Sequence, residues 1–397
     1  MRLCNIGRIP APTSNRRPRR IRKTKGFKRS GLVPNTEKIR LKNLVKCVVW
    51  DLDDTVWDGT LLEDSSVAVR LEIKAVIIEL DQVGILHSIA SRNSFEMAME
   101  RLKASGLAEY FLYPQIGWGA KSDALGVIAE KLNIGLDALA FVDDQAFERD
   151  EVNFNCPDVT CVDSRDKRSI ESLRAIRPRF ITQDSATRRQ MYMSDAKRNE
   201  NEERFEGPKE EFLTSLQMRL RIASATVGDL QRAEELTVRT NQLNTTGLTF
   251  SYEELSQFLD SSNHLLWIAG LEDRYGSYGK IGLVLIEFTD EVWQIKLLLM
   301  SCRVMARGIG NVLINLIRGY AKQAGVRLQA GFVETDRNRM MYMTYKFSRF
   351  VEISREGSLL TLENDLHDVS PPPSYLELDI SNLALPVSVP LGQAVTL

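Results

Sequence analysis

The stretch "KCVVWDLDDTVWDG", from Lys46 to Gly59, sets four aspartates behind a short apolar run. Asp51 follows directly on that run and Asp53 comes two residues later. Alternation along an extended segment lets both carboxylates project above a sheet edge while Leu52 turns back into a core. Carboxylates at this density are costly unless they are solvated, paired or bound to a cation. The segment is therefore either a wet turn or a site.

Working outward, the apolar run Cys47 to Trp50 is followed by a helical pattern near Val67 to Leu80, another run at Ile85 to Ala90 and helix-like "SFEMAMERLKAS". Helix-like "KSDALGVIAEKLN" then leads into "ALAFVDD". Short apolar strands alternating with amphipathic helices predict a parallel sheet covered on both faces, with functional residues at the C-terminal ends of its strands. Three further elements fall at such places: Ser91 ends "ILHSIA", Lys121 opens a helix, and Asp143-Asp144 end "LAFVDD". Any one aspartate alone reads as a turn or a helix cap. Together, gathered carboxylates suit Mg2+, a hard cation with oxygen ligands, and a hydroxyl, an ammonium and a helix N-terminus suit a phosphoryl group. In this reading Asp51 attacks phosphorus to give an aspartyl-phosphate, and Asp53 protonates the leaving oxygen and later activates water. Mg2+ would neutralise the phosphate.

The order Asp51-Leu52-Asp53-Asp54-Thr55, Ser91, Lys121, Asp143-Asp144 resembles the haloacid dehalogenase (HAD) phosphatases, subfamily IIIC-like. The resemblance implies metal ligation by Asp51, Asp53 and Asp143 and phosphate binding by Thr55, Ser91 and Lys121. About 40 residues separate Asp51 from Ser91, too few for a large inserted cap, so a second domain is the expected control on access. Strand-like runs at Leu265 to Ile268, Ile281 to Phe288 and Trp293 to Cys302, then "RGIGNVLINLIRGYAKQAG", predict that domain to be α/β. Gly308 and Gly310 lie between strand and helix, where bare backbone amides suit a pyrophosphate. This order resembles the acyl-CoA loop of GNAT acyltransferases. The expected organisation is a basic tail (1–45), a HAD-like Rossmannoid parallel-sheet domain (46–165), a charged helical linker (166–212), a GNAT-like α/β domain (213–355) and a C-terminal tail (356–397).

With "VDDQAFERDEV", "ELTVRTNQLNTTGLTFS", "EDRYGSYGKIGLVLIE" and "LLMSCRVMARGIG", the whole resembles the FkbH-like proteins, which join these two domain types. That resemblance implies an enzyme that dephosphorylates 1,3-bisphosphoglycerate and loads the glyceryl unit on an acyl carrier protein for polyketide extender units. It makes Cys302, in "SCRV", a candidate acyl-carrying nucleophile. It also makes Arg239, Asn241, Gln242, Arg303, Arg307, Gly308 and Gly310 candidates for acyl or pantetheine binding. Arg303 could lower the Cys302 pKa, although on a strand the two side chains point to opposite faces. The chain departs from the family pattern: Asp54 and Asp58 stand where Asn and Gly are usual, and Ala90-Ser91-Arg92-Asn93 stands for Cys-Ser-Lys-Asn. A related three-carbon acid such as lactate is thus an alternative unit.

The 397 residues exceed one ordinary core, and no apolar run is long enough to span a bilayer. Five scattered cysteines without a CxxC pair fit a reducing, cytoplasmic setting. Residues 1–46 hold 15 Lys or Arg against Glu37 alone, leaving an acidic body of 37 basic against 52 acidic residues. The tail reads as a disordered extension, with nucleic-acid binding and targeting as its other readings. An acidic body needs a local basic patch to dock an acidic carrier, and Arg188, Arg189 and Arg198 are the expected patch. Two competing readings stand beside the transferase: a Mg2+-dependent phosphohydrolase with a non-catalytic GNAT-like domain, and an interaction protein with a silent site.

Overall fold

The computed structural model describes residues 45–385 except 65, 241 and 336. The basic tail, save Val45, and the end of the chain lie outside the described residues, as does the candidate Asn241.

Strand β1 (Cys47–Trp50) is buried along its whole length, which is why it reads as an unbroken apolar run. The hairpin β2 (Trp57–Asp58) and β3 (Ala68–Val69) follows, then helix α1 (Leu71–Gln82), β4 (Leu86–Ser91), helix α2 (Phe95–Ala104) and β5 (Gln115–Ile116). Helix α3 (Lys121–Leu132), β6 (Leu139–Asp143), helix α4 (Ala146–Asn155), β7 (Thr160–Asp163) and helix α5 (Lys167–Arg174) complete the first domain. The sheet is parallel in the order β5-β4-β1-β6-β7. Its order reverses across β1, which opens a crevice at the C-terminal ends of β1 and β6. Helix α1 begins at Leu71 rather than Val67, because Ala68 and Val69 pair with the hairpin. Ile73, Val76, Ile77 and Leu80 then bury one helical face.

The segment 166–212, read as a solvated linker, is packed. Ile170, Leu173 and Ile176 join the first domain's core. Helices α6 (Gln183–Ala186) and α7 (Arg188–Glu203) follow, then α8 (Lys209–Ser215). The three arginines expected to form a docking patch are buried and paired instead. Arg188 bonds Glu235 and the Gly84 carbonyl, Arg189 bonds Asp81 and Glu109, and Arg198 grips Asp273 at 2.7 and 2.8 Å and Asp195 at 2.7 Å. Helical periodicity cannot tell a solvated charged face from one that meets a complementary charged surface. Gly84 is required where α6 crosses: its φ is +80°, and a Cβ there would lie 2.8 Å from the Ser185 carbonyl oxygen.

The second domain contains β8 (Met218–Ser224), α9 (Leu230–Arg239), α10 (Tyr252–Leu259), β9 (His264–Asp273), β10 (Gly276–Phe288) and β11 (Val292–Met300). After these come α11 (Ile309–Ala324), β12 (Arg327–Val333), α12 (Arg339–Phe347), β13 (Phe350–Glu356), β14 (Leu359–Asn364) and β15 (Leu376–Asp379). One eight-stranded sheet runs β13-β14-β12-β11-β10-β9-β8-β15. β14 and β15 fall where a tail was expected; "SPPPS" merely connects them. The chain is thus α/β in both halves, a HAD-like parallel sheet followed by a GNAT-like domain in which strand, glycine turn and helix come in the expected order.

The domains meet at the N-terminal edge of the parallel sheet. Lys46 Nζ donates to the Arg239 carbonyl at 2.8 Å, Cys302 Sγ to the Asn133 carbonyl at 3.4 Å, and Arg337 pairs with Asp137 at 3.1 Å. This is the edge opposite Asp51. The second domain therefore does not govern access to the carboxylates, contrary to expectation; the first domain's own loop and hairpin, residues 54–70, flank them.

Candidate active site

Asp51 leaves β1 at the crevice, and its backbone N–H bonds the Val142 carbonyl of β6 at 2.9 Å, which seats it beside Asp143. Lys121, in the first turn of α3, lies between the two carboxylates at 2.9 Å from Asp51 and 2.5 Å from Asp143. All three side chains are at least nine-tenths buried. Burial pushes the Asp51 carboxyl up to about 6, with Asp143 adding to the rise and Lys121 and the Ser91 hydroxyl opposing it. Burial works against the Lys121 ammonium, but Asp51 and Asp143 outweigh it and raise its pKa.

The carboxylates of Asp51, Asp143 and Asp144 each offer an oxygen within 4.8 Å of the others. One Asp144 oxygen accepts from Arg165 at 2.6 Å, while its buried Oδ1 has no partner. Three oxygens with one orphaned acceptor fit a hard cation such as Mg2+. Asp53, expected as a ligand, is turned aside. Its Oδ1 accepts from the Trp57 indole at 2.7 Å and the Leu61 N–H at 3.2 Å, and the Asn93 amide reaches both oxygens at 3.1 Å. Oδ2, with that single contact, is the oxygen left for proton transfer. Asp144 takes the place among the carboxylates that Asp53 was assigned. The turn explains this: Asp54 adopts φ +50°, tolerated by Asp, and its side chain caps the Gly59 N–H at 2.9 Å, so the chain doubles back after Asp53.

Ser91 and Lys121, the expected phosphate-holding pair, line one cavity of about 220 Å³ with Gly117 and Gly119. Thr55 is fully buried, and its hydroxyl donates to Ser164 at 3.2 Å. Arg92, in place of the usual lysine, pairs with the buried Glu148 at 2.8 Å. Asp58 is exposed, 3.8 Å from Arg70. Asp144 enters the sequence reading as half of the strand-end pair Asp143-Asp144 and Asn93 as the end of the Ala90–Asn93 motif, neither with a role of its own. Ser164 and Arg165 carry no signal in the sequence.

The acyl-binding set is divided. Arg239, Gln242, Cys302 and Arg303 line one cavity between the domains. Arg307, Gly308 and Gly310 are elsewhere: Arg307 is buried against Glu202 at 2.7 Å, and a Cβ on Gly308, φ +76°, would meet the Tyr375 hydroxyl at 2.7 Å. Tyr375 of the chain's own C-terminal segment thus lies against the glycine turn, and Gly308 shares with it the wall of a cavity of about 410 Å³. The parallel pair β11 and β12 ends at Ile295 and Ala330, and residues 243–245 fill the split beyond it. The Thr245 N–H and hydroxyl bond Leu298, its carbonyl accepts from Val333, and the Leu243 carbonyl accepts from Met300. The backbone groups an extended amide arm would use there are already satisfied. Cys302 does not lie on a strand; β11 stops at Met300 and Cys302 opens a 3-10 turn. Burial raises its thiol pKa, and the opposing influence of Arg303 and Lys46 does not overcome it. Arg303 acts in the direction expected from sequence, lowering the thiol pKa, but burial outweighs it.

No family model matches the chain, and no curated protein matches it. Among solved structures it is similar to the N-terminal part of a Bacteroides fragilis protein containing a phosphatase domain, complexed with Mg. That likeness has 23% identity over 36% of this chain and 44% of that one, with a TM-score of 0.33. It is also similar to a GNAT-family acetyltransferase from Streptococcus pneumoniae, at 19% identity over 36% and 98% of the two chains and a TM-score of 0.29. The ribosomal-protein-S18-alanine N-acetyltransferase of Escherichia coli gives 12% identity over 36% and 92%, with a TM-score of 0.31. The chain spans less than half of the phosphatase-containing structure, and the fold assignment rests on the topology above.

Proposed function

We propose that this chain is a Mg2+-dependent phosphohydrolase that works through an aspartyl-phosphate on Asp51. The observation that carries the reading is the meeting of Asp51, Lys121, Asp143 and Asp144 in the crevice at the C-terminal edge of the parallel sheet. An Asp51 oxygen bonds to phosphorus as the ester P–O bond breaks, and the leaving oxygen takes a proton from Asp53. Asp53 then takes a proton from water, whose oxygen attacks phosphorus and frees Asp51 and phosphate. Lys121 and Ser91 hold the phosphoryl oxygens, and Thr55 with Ser164 fixes the loop that presents Asp53. Mg2+ held by Asp51, Asp143 and Asp144 would neutralise charge as carboxylate and phosphate approach.

The finer reading, drawn from the FkbH-like resemblance, is that the substrate is a phosphorylated three-carbon acid whose glyceryl unit is passed to an acyl carrier protein. The placement of Cys302 in the cavity between the domains favours it. Cytoplasmic placement belongs to the same proposal, the four described cysteines being free. Lys46 and Asp51 are five residues apart along an extended strand, about 16 Å. Phosphate removal and acyl transfer through Cys302 would therefore be separate steps.

Phosphate release from phosphate monoesters with Mg2+ tests the first reading. Wild type should turn over and Asp51→Asn should fall at least a thousandfold; equal rates would sink it. Intact mass of phosphopantetheinylated carrier protein incubated with 1,3-bisphosphoglycerate tests the second. A glyceryl gain that vanishes in Cys302→Ala supports it, and phosphate release without any gain leaves the phosphohydrolase alone.

A further inference from the structure

Where the domains meet, a cavity of about 320 Å³ is walled by Lys46 from the first domain and Arg239 and Arg303 from the second. These cations are poorly compensated. Lys46 Nζ donates to a backbone carbonyl and has no carboxylate within 4 Å among the described residues. The Arg239 guanidinium makes no hydrogen bond among the described residues, and Glu235 is 4.0 Å from its Nε. Glu235 has no capacity to spare, since Arg188, Arg232, Thr182 and Ser185 already donate to it. Arg303 gives one nitrogen to the Tyr278 carbonyl, while its buried Nη1 has only Asp195, at 3.9 Å. Of the two acids on the wall, Asp137 is taken by Arg337, which leaves Asp158 against three cations.

Buried positive charge without counter-charge is expensive, and a cavity is the place where an anion could supply it. The titration of the same groups agrees: burial, then the cationic neighbours, pull Lys46 down to about 8 and Arg239 to about 9. Guanidinium groups suit tetrahedral oxyanions, and the volume is of small-ligand size. We infer that this interdomain cavity is a second anion site, separate from the Asp51 crevice, that takes the phosphate group of a small phosphate monoester between Lys46, Arg239 and Arg303. The inference does not depend on phosphatase activity. Because one wall comes from each domain, the ligand would also clamp the domains together.

Titration calorimetry of the full chain in EDTA, with glycerol phosphate and separately with inorganic phosphate, tests it. Glycerol phosphate should saturate one site, at least tenfold more tightly than sodium chloride at matched ionic strength can mimic. Affinity should drop at least tenfold in Arg239→Gln and in Lys46→Met and hold in Ser91→Ala. Both cation variants should fold with a Tm at or above wild type, since each removes a poorly compensated buried charge. Added glycerol phosphate should raise Tm in wild type and not in Arg239→Gln. As a second readout, the ester should slow maleimide labelling of Cys302 in wild type only. Loss of binding in Ser91→Ala with retention in Arg239→Gln, or no saturable binding, overturns the site. Equal or tighter binding of inorganic phosphate overturns the ester assignment.

Discussion

The acidic crevice should be held together by one ammonium, and removing it gives a measurable cost. Two carboxylates with oxygens within 4.8 Å of each other repel by at least about 3 kcal/mol at an effective dielectric constant near 20. Lys121, at 2.9 and 2.5 Å from Asp51 and Asp143, offsets that repulsion. In Lys121→Met the side chain keeps most of its volume but Asp51 and Asp143 lose their buried partner, so stability should fall by about 3–5 kcal/mol. Asp51→Asn removes one repelling charge along with one attraction, so its stability should stay within about 1 kcal/mol of wild type. Urea denaturation in EDTA, followed by tryptophan fluorescence, measures both. Mg2+ at a hundred times its Kd should add about 2.7 kcal/mol to wild type, more to Lys121→Met because it supplies the missing positive charge, and little to Asp143→Asn. If Lys121→Met in EDTA unfolds at the wild-type urea concentration, or if Asp143→Asn gains as much from Mg2+ as wild type, the electrostatic account of the crevice is wrong.

Three further outcomes are expected. His87 is fully buried, its Nδ1 accepts from the Trp50 indole at 3.0 Å, and burial pulls its pKa down to about 3. The unfolded chain takes up the proton below about 6.5 and the fold does not, so His87 removes about 2 kcal/mol of stability between pH 7 and pH 5, while Asp51, raised to about 6, acts the other way; denaturation at the two pH values should show the stability gap between wild type and His87→Gln change by that amount. Arg198, wholly buried against Asp273 and Asp195 and stacked 3.8 Å over the Tyr278 ring, should cost about 3–5 kcal/mol as Arg198→Met, read as Tm. The raised Cys302 thiol should react with iodoacetamide more slowly than a free cysteine at pH 8 and keep gaining rate as pH climbs past 9, measured by peptide mass spectrometry.

Much of the crevice was legible in the residues. An apolar run buried on both faces needs no tertiary information to be recognised, and a polar residue at its C-terminal end falls at the crevice whatever surrounds it, which makes Asp51, Ser91 and Asp143 legible; Lys121 is legible as the opening of a helix. What failed was side-chain direction. Alternation carried past Asp51 sets the Asp53 carboxylate beside it above the sheet edge; the left-handed Asp54 ends the strand geometry and turns Asp53 toward Trp57 and Asn93. Cys302 was placed on a strand that stops two residues earlier, so the argument about Arg303 on the opposite face lost its basis.

The remaining differences come from partners distant in the chain. Arg188, Arg189 and Arg198 carry the same charge in a solvated helix as in a buried one, and only the arrival of Glu235, Asp81 and Asp273 turns them inward. Likewise, nothing local to a glycine turn tells that Tyr375 lies against it. Local pattern settles which segments are strands and helices and where the crevice side chains leave them, because periodicity and strand ends are properties of neighbouring residues. Which charges are neutralised, which cavity is left cationic and which edge of the parallel sheet the second domain covers depend on contacts between residues far apart in sequence, from 47 positions for Arg188 and Glu235 to 193 for Lys46 and Arg239, and those exist only in the folded chain.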